Sequence, residues 1–199
     1  MKNAPESTPQ STAQTTPKRD EIIQTAFNSF YHHGFHATGV DAVMADSGIS
    51  KRTIYKYFRS KEELVAATLT YYETIIFGRI PDELSKRHKD PKKQILSLFD
   101  LKAEEFALNN FNGCLAINAK VEFDGSDHEI EAACSGFYQK LEAYVAELCA
   151  AAKLKSPKTL AHQIILLFAG SVVMGQMHRD PDAPNVAKEI VKTLLKGAV

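Results

Sequence analysis

Gly48-Ile49-Ser50-Lys51-Arg52-Thr53-Ile54-Tyr55-Lys56-Tyr57-Phe58-Arg59-Ser60-Lys61-Glu62-Glu63-Leu64 is the stretch that decides the fold. Gly48 ends one short helix and Ser50 can cap the next, in which Ile54 and Phe58 point inward one turn apart. Ser60 to Glu63 has capping-box spacing and opens a longer helix through Leu64, Ala67, Tyr71 and Ile75. Upstream, Thr16-Pro17 is an N-cap with proline at the first helical position, followed by Ile22, Ile23, Ala26, Phe27 and Phe30 at helical spacing. Gly34 stops that helix. Thr38-Gly39-Val40-Asp41 repeats the capping spacing, and Val40, Val43 and Met44 form one apolar face. Three short helices, the last two joined by a tight glycine turn, describe a helix-turn-helix.

Charge falls on the same place. The chain has 199 residues, 24 Lys+Arg against 24 Asp+Glu, and is 44% apolar. That composition excludes globally unfolded and collagen-like chains, and a net charge of zero argues against coating nucleic acid by bulk charge. Yet Lys51, Arg52, Lys56, Arg59 and Lys61 put five positive charges in eleven residues with no acid among them, and Tyr55 and Tyr57 are interleaved. Residues 18–62 carry seven basic and five acidic residues; residues 63–199 carry sixteen and eighteen. In a helix-turn-helix the second helix enters the major groove with its N-terminal residues at base edges. Lys51 and Arg52 occupy that turn, and either can donate to guanine O6 and N7. Thr53 and Tyr55 can reach bases, thymine methyls or phosphate. Lys56, Tyr57 and Lys61 are better placed for phosphate, and the helix opening at Lys61 aims its first amides outward.

The residues Gly34-Phe35-His36-Ala37-Thr38-Gly39-Val40-Asp41 and the stretch from Gly48 to Leu64 resemble the DNA-binding domain of the TetR/AcrR family of transcriptional regulators. One departure is Arg52, where many members carry glycine. The resemblance implies an all-helical homodimer that binds double-stranded operator DNA, with a variable C-terminal domain that binds a small effector. On it, Lys51, Arg52, Thr53, Tyr55 and Tyr57 match recognition-helix contacts, and Thr38, Lys56 and Lys61 match backbone contacts. It also implies a ligand cavity between about Leu64 and Met177. Phe99, Phe106, Phe111, Cys114, Asn118, Phe137, Tyr138, Leu141, His162 and Phe168 are the candidates to line it. Asn118 and His162 stand out as polar residues within apolar runs, and pockets combine apolar walls with few polar anchors. Asn112-Gly113-Cys114-Leu115 resembles a Gly-Cys-Leu turn found in part of the family, with Cys114 in the first turn of its helix, where the dipole favours a thiolate.

Helical periodicity continues to the end of the chain, giving about nine helices and no sheet. Asp90-Pro91 opens a helix carrying Ile95, Leu98, Phe99 and Phe106. A shorter one runs from Cys114 to about Phe123. Ser126 to Glu129 is a third capping box, ahead of Ile130, Cys134, Phe137, Leu141, Val145 and Leu148. Ser156-Pro157 opens a helix without charge from Thr159 to Met177, read as buried rather than membrane-spanning because it holds His162, Gln163, Ser171, Gln176 and two glycines. It is apolar around its whole axis, so it must be covered all round. Together with the last helix it predicts a dimer interface of Leu160, Ile164, Leu167, Phe168, Val172, Ala187, Ile190, Val191 and Leu194, with Ala169, Gly170, Ser171 and Gly175 letting a second helix approach.

The expected organisation is a disordered tail over 1–17, thirteen of whose residues are Ser, Thr, Pro, Gln or Ala, a DNA-binding domain over 18–62, and an effector and dimerisation domain over 63–199. Three scattered cysteines and no secretion signal fit a reducing cytoplasm. No metal or cofactor is expected: His32, His33 and His36 lack helical spacing and accompanying ligands, and Asp124, Asp127, Glu129 and Glu131 lack calcium-loop spacing. No Gly-rich phosphate loop, His-Glu-x-x-His or Gly-x-Ser-x-Gly is present. The function expected is a ligand-responsive repressor released from a palindromic operator, not an enzyme. The alternatives are a thiol sensor acting through Cys114, or a helical enzyme or adaptor that does not bind DNA.

Overall fold

A computed structural model describes residues 16–108 and 111–198, so the tail expected over the first residues lies almost wholly outside them, as does the side chain of Met44. The described residues form nine helices and no strand. Thr16 caps α1 (Pro17–His33), its hydroxyl accepting from the Arg19 amide. α2 (Val40–Ser47) and α3 (Lys51–Tyr57) follow, joined by a turn in which Gly48 holds φ +66°, the left-handed conformation a side chain resists. Ser50 caps α3 by accepting from the Thr53 amide. Ile22, Phe30, Phe35, Ile54 and Phe58 are each almost fully buried and close a small core under these three helices.

α4 (Lys61–Arg87) runs unbroken for 27 residues. Ser60 caps it as the spacing predicts, but the Glu63 carboxylate returns to the Arg59 amide at 2.7 Å. The expected boundary between residues 62 and 63 therefore falls inside the first turn of this helix. Its buried face is Leu64, Val65, Thr68, Leu69, Tyr72 and Ile76, so the expected stripe is one residue out of phase: Ile75 is exposed and Ile76 is covered. Two partners explain the shift, because α1 packs on its first half and α7 on its second.

The body is built around α7 (His128–Ala151), which packs against α4, α5 (Pro91–Ala107), α6 (Leu115–Phe123) and α8 (Pro157–His178). All six residues expected on its inward stripe are buried. Asp127, not Ser126, caps it, accepting from the Glu129 and Ile130 amides. α9 (Ala183–Gly197) lies across α5 and α8. α8 is the one helix among the described residues long and apolar enough to cross a membrane, and it packs on α7 and α9.

Candidate nucleic-acid interface and effector cavity

Ile54 and Phe58 anchor α3 from below, which turns Lys51, Arg52, Tyr55 and Lys56 to the outside. Tyr55 is a large exposed aromatic, and the Lys56 ammonium lies 5.8 Å from the centroid of the half-buried Tyr57 ring. Lys51 pairs with Asp41 of α2 at 3.0 Å, and that hydrogen bond raises the lysine's pKa above its ordinary value. Thr53 is half-buried, its hydroxyl 2.8 Å from that of Ser50. Lys61, first in α4, is half-buried at the edge of the same surface. Seven of the eight residues expected at DNA thus share one accessible surface. Thr38 does not: it is 1% exposed, with its hydroxyl 3.5 Å from the Ser29 carbonyl, and it fills the space between α1 and α2.

Below the head, α4, α5, α7 and α8 enclose a cavity of about 480 Å³. Of the residues expected to line it, Cys114, Phe137, Tyr138, Leu141 and Phe168 do so. The others are elsewhere. Phe99 is in the core beyond Phe168, edge-on at 5.5 Å. Phe106 and Phe111 stack on each other, 3.9 Å between centroids, on the far side of Lys102. Asn118 donates to the Asn112 carbonyl at 2.8 Å and serves the loop before α6. His162 is exposed and faces Glu142 at 3.1 Å, because its phase on α8 is opposite to that of Ile164.

Sequence reading missed the polar half of the cavity: Tyr72 and Arg79 on α4, Lys102 and Glu105 on α5. Lys102 interrupts the apolar run of α5 just past Leu101 and was the available signal. Its side chain is only 12% exposed; its ammonium pairs with Glu105, and Glu105 also accepts from Arg79 at 3.0 Å. At the other end the Tyr72 and Tyr138 hydroxyls donate to the Cys114 sulfur at 3.9 and 3.7 Å. Burial raises the pKa of both phenols, so they are donors throughout the neutral range. Cys114 caps α6 from a buried position without giving it a side-chain hydrogen bond.

The cavity and the head meet through α6. Cys114 begins it, and two turns on, Glu122 accepts from the Phe35 and His36 amides at 3.1 and 2.6 Å and from the His36 ring at 3.2 Å. Phe35 packs edge-on against Phe123, 5.9 Å between centroids. The loop before α6 makes a second junction. The Asn112 amide donates to the Tyr31 hydroxyl at 3.2 Å, and its side chain lies 3.0 Å from His32. His32 and His36 are therefore parts of this seam, and no group of three or more metal-ligating side chains forms among the described residues.

The expected dimer interface needs correction. Leu160, Ile164, Phe168, Val172, Ala187 and Val191 are buried within the chain itself, facing α5, α7 and each other. Leu167 and Leu194 are half-buried against the same core. Ser171 is buried too, and Gly175 is closed off by Phe106. What faces outward is a different stripe: Leu166 (68% exposed), Met174 and Met177 (70%) on α8, continued by Val186 and Ile190 (47%) on α9. Gly170 lies within that stripe, with open space beside it.

A capped trihelical head with an exposed basic and aromatic third helix, mounted on a helical body with a cavity, defines a helix-turn-helix regulator. Residues 22–68 match the family model for bacterial regulatory proteins of the tetR family. The uncharacterised helix-turn-helix regulator YuxN of Bacillus subtilis is 30% identical over 145 residues, which is 66% of this chain and 50% of that protein. The repressor KstR2 of Mycolicibacterium smegmatis is 31% identical over 91 residues, 46% of this chain and 44% of its own. The chain spans about half the length of these two relatives. In fold it is similar to reduced NemR of Escherichia coli, with TM-score 0.82, 19% identity and coverage of 89% and 96% of the two chains. A TetR-family regulator of Streptomyces coelicolor gives TM-score 0.80 at 21% identity, covering 91% and 95%. The chain belongs to the TetR family of bacterial transcriptional regulators.

Proposed function

We propose that the protein is a ligand-responsive repressor, which as a homodimer binds a palindromic operator and is released by a small effector held in the body. One observation carries this reading. The helix that Cys114 starts at the cavity wall is the helix whose Glu122 holds the loop leading into the head. An effector that moves α6 changes that hold, and with it the presentation of α3. Lys51, Arg52, Thr53 and Tyr55 read bases; Lys56, Tyr57 and Lys61 take phosphates. The outward stripe of α8 and α9 pairs with its symmetry mate, since an isologous contact needs one self-complementary apolar patch. Two heads so held face successive major grooves about 34–36 Å apart. A protein of this kind acts where the chromosome is, in the cytoplasm.

Footprinting on the DNA flanking its own gene tests the reading. Protection of an inverted repeat is expected, with salt-dependent affinity. Linkage adds a second requirement: an effector that weakens operator binding must itself bind more weakly, by the same factor, when operator is present. A featureless footprint, or equal effector affinity with and without operator, would sink it.

A further inference from the structure

The chemistry of the cavity narrows what it accepts, granted that it is the effector site. The enclosed space of about 480 Å³ is within the range of small-ligand sites, about 300–1,000 Å³. Its broad walls are aromatic and aliphatic: Phe137, Phe168, Leu141 and Ile76. Its polar groups are unbalanced. Two cations, Lys102 and Arg79, share the single carboxylate of Glu105, which leaves one positive charge in excess. Lys102 is held above the Phe111 and Phe168 rings, 5.5 and 5.9 Å from their centroids, where an ammonium keeps protons for a further acceptor. At the opposite end two phenol hydroxyls are spent on one thiol sulfur, a weak acceptor that an oxygen would replace with gain. Donors and positive charge exceed acceptors at both ends of an apolar slot.

We propose that this cavity takes a compact aromatic monoacid, its carboxylate paired with Lys102 and Arg79 and its ring lying between Phe137 and Phe168. Glu105 sets the charge limit. It neutralises one of the two cations, so one anionic group is matched and a second would be left unpaired against it. A cationic ligand meets the excess charge with the same sign. A neutral aromatic gains the walls and forgoes the ion pair.

The chain has no Trp, so the emission of a naphthalene probe, excited beyond the tyrosine band, is free of protein background. Full-length protein is titrated with 2-naphthoate, with the isosteric neutral 2-naphthamide, and with the cationic 2-naphthylmethylammonium. The acid is expected to bind at least about tenfold more tightly than either, the factor that ~1.4 kcal/mol of charge-assisted bonding gives. Lys102→Met should remove most of that preference, and Lys102→Arg should retain it. If the methionine variant does not fold, the three probes on the unaltered protein decide the matter alone. An amide that binds as tightly as the acid, an ammonium that binds better, or failure of all three probes overturns the proposal. The repressor reading stands or falls separately, on the footprint of the probe-free protein.

Discussion

Arg52 and Lys56 sit one turn apart on the outer face of α3 and differ in what their chemistry can read. Arg52→Ala is expected to cost about 1–3 kcal/mol of operator binding and to relax preference at one base position, because a bidentate guanidinium distinguishes guanine. Lys56→Ala should weaken binding to every sequence and flatten the salt dependence by about one unit per half-site. Filter binding on the footprinted operator and on a scrambled duplex, across a salt series, separates the two. Equal loss on both duplexes for Arg52→Ala would remove it from the base edges. The cysteines are an opposite case, where burial silences chemistry. Burial pushes the Cys134 and Cys149 thiols from 9.0 to about 11, so both stay protonated and unreactive in the folded chain. The folded state holds protons that the unfolded chain releases, so stability is complete below about pH 9 and falls as pH rises towards 11. Alkylation followed by mass spectrometry should label these two only on unfolding. The exposed face of α3 was legible because a seven-residue helix with two inward apolar residues has one possible orientation. Thr38 was not, since nothing in its neighbours' spacing says that its hydroxyl turns back to Ser29.

Among the elements, α6 joins two parts of the molecule that would otherwise share only α4 and a loop. Its grip rests on one carboxylate serving two backbone amides and a ring. Glu122→Ala leaves those amides to water or to nothing, and a lost hydrogen bond to a charged acceptor costs about 1.5–3 kcal/mol where water does not replace it. Hydrogen exchange at Phe35 and His36 should accelerate while the amides of α7 keep their protection. Operator release by effector should be blunted in the same variant. Unchanged exchange at both amides would show that the Phe35–Phe123 contact alone holds the seam. This junction was invisible in the sequence: Glu122 lies more than eighty residues from its partners, and an acid on a helix has many reasons to be there. α7 was fully legible, because its six inward residues follow one stripe against neighbours on a single side. α8 was legible as a covered helix, yet its phase was not. When apolar residues surround an axis, periodicity cannot distinguish the side facing α7 from the side facing outward, and the interface was placed on the wrong one.

For the whole molecule, that correction changes which substitutions report on assembly. Val172 is buried in the core, so Val172→Asp should unfold the body, whereas Leu166→Asp and Ile190→Glu change only the outward stripe. Both outward variants are expected to remain folded by circular dichroism, to sediment as monomers at micromolar concentration, and to lose most operator affinity. A folded variant that stays dimeric would move the interface elsewhere. The length of α4 has its own consequence. Twenty-seven residues make a rod of about 40 Å, with Lys61 at the head and Ile76, on the cavity wall, near its middle. Treated as a lever pivoting at Ile76, its upper arm is about 22 Å long, so a tilt of about 5° carries Lys61 through roughly 2 Å. The same tilt in the mirrored protomer doubles the change in reach, a large fraction of the tolerance with which two helices fit successive grooves. A displacement at the cavity wall too small to disturb packing is thus multiplied, by length alone, into a mismatch the operator can feel.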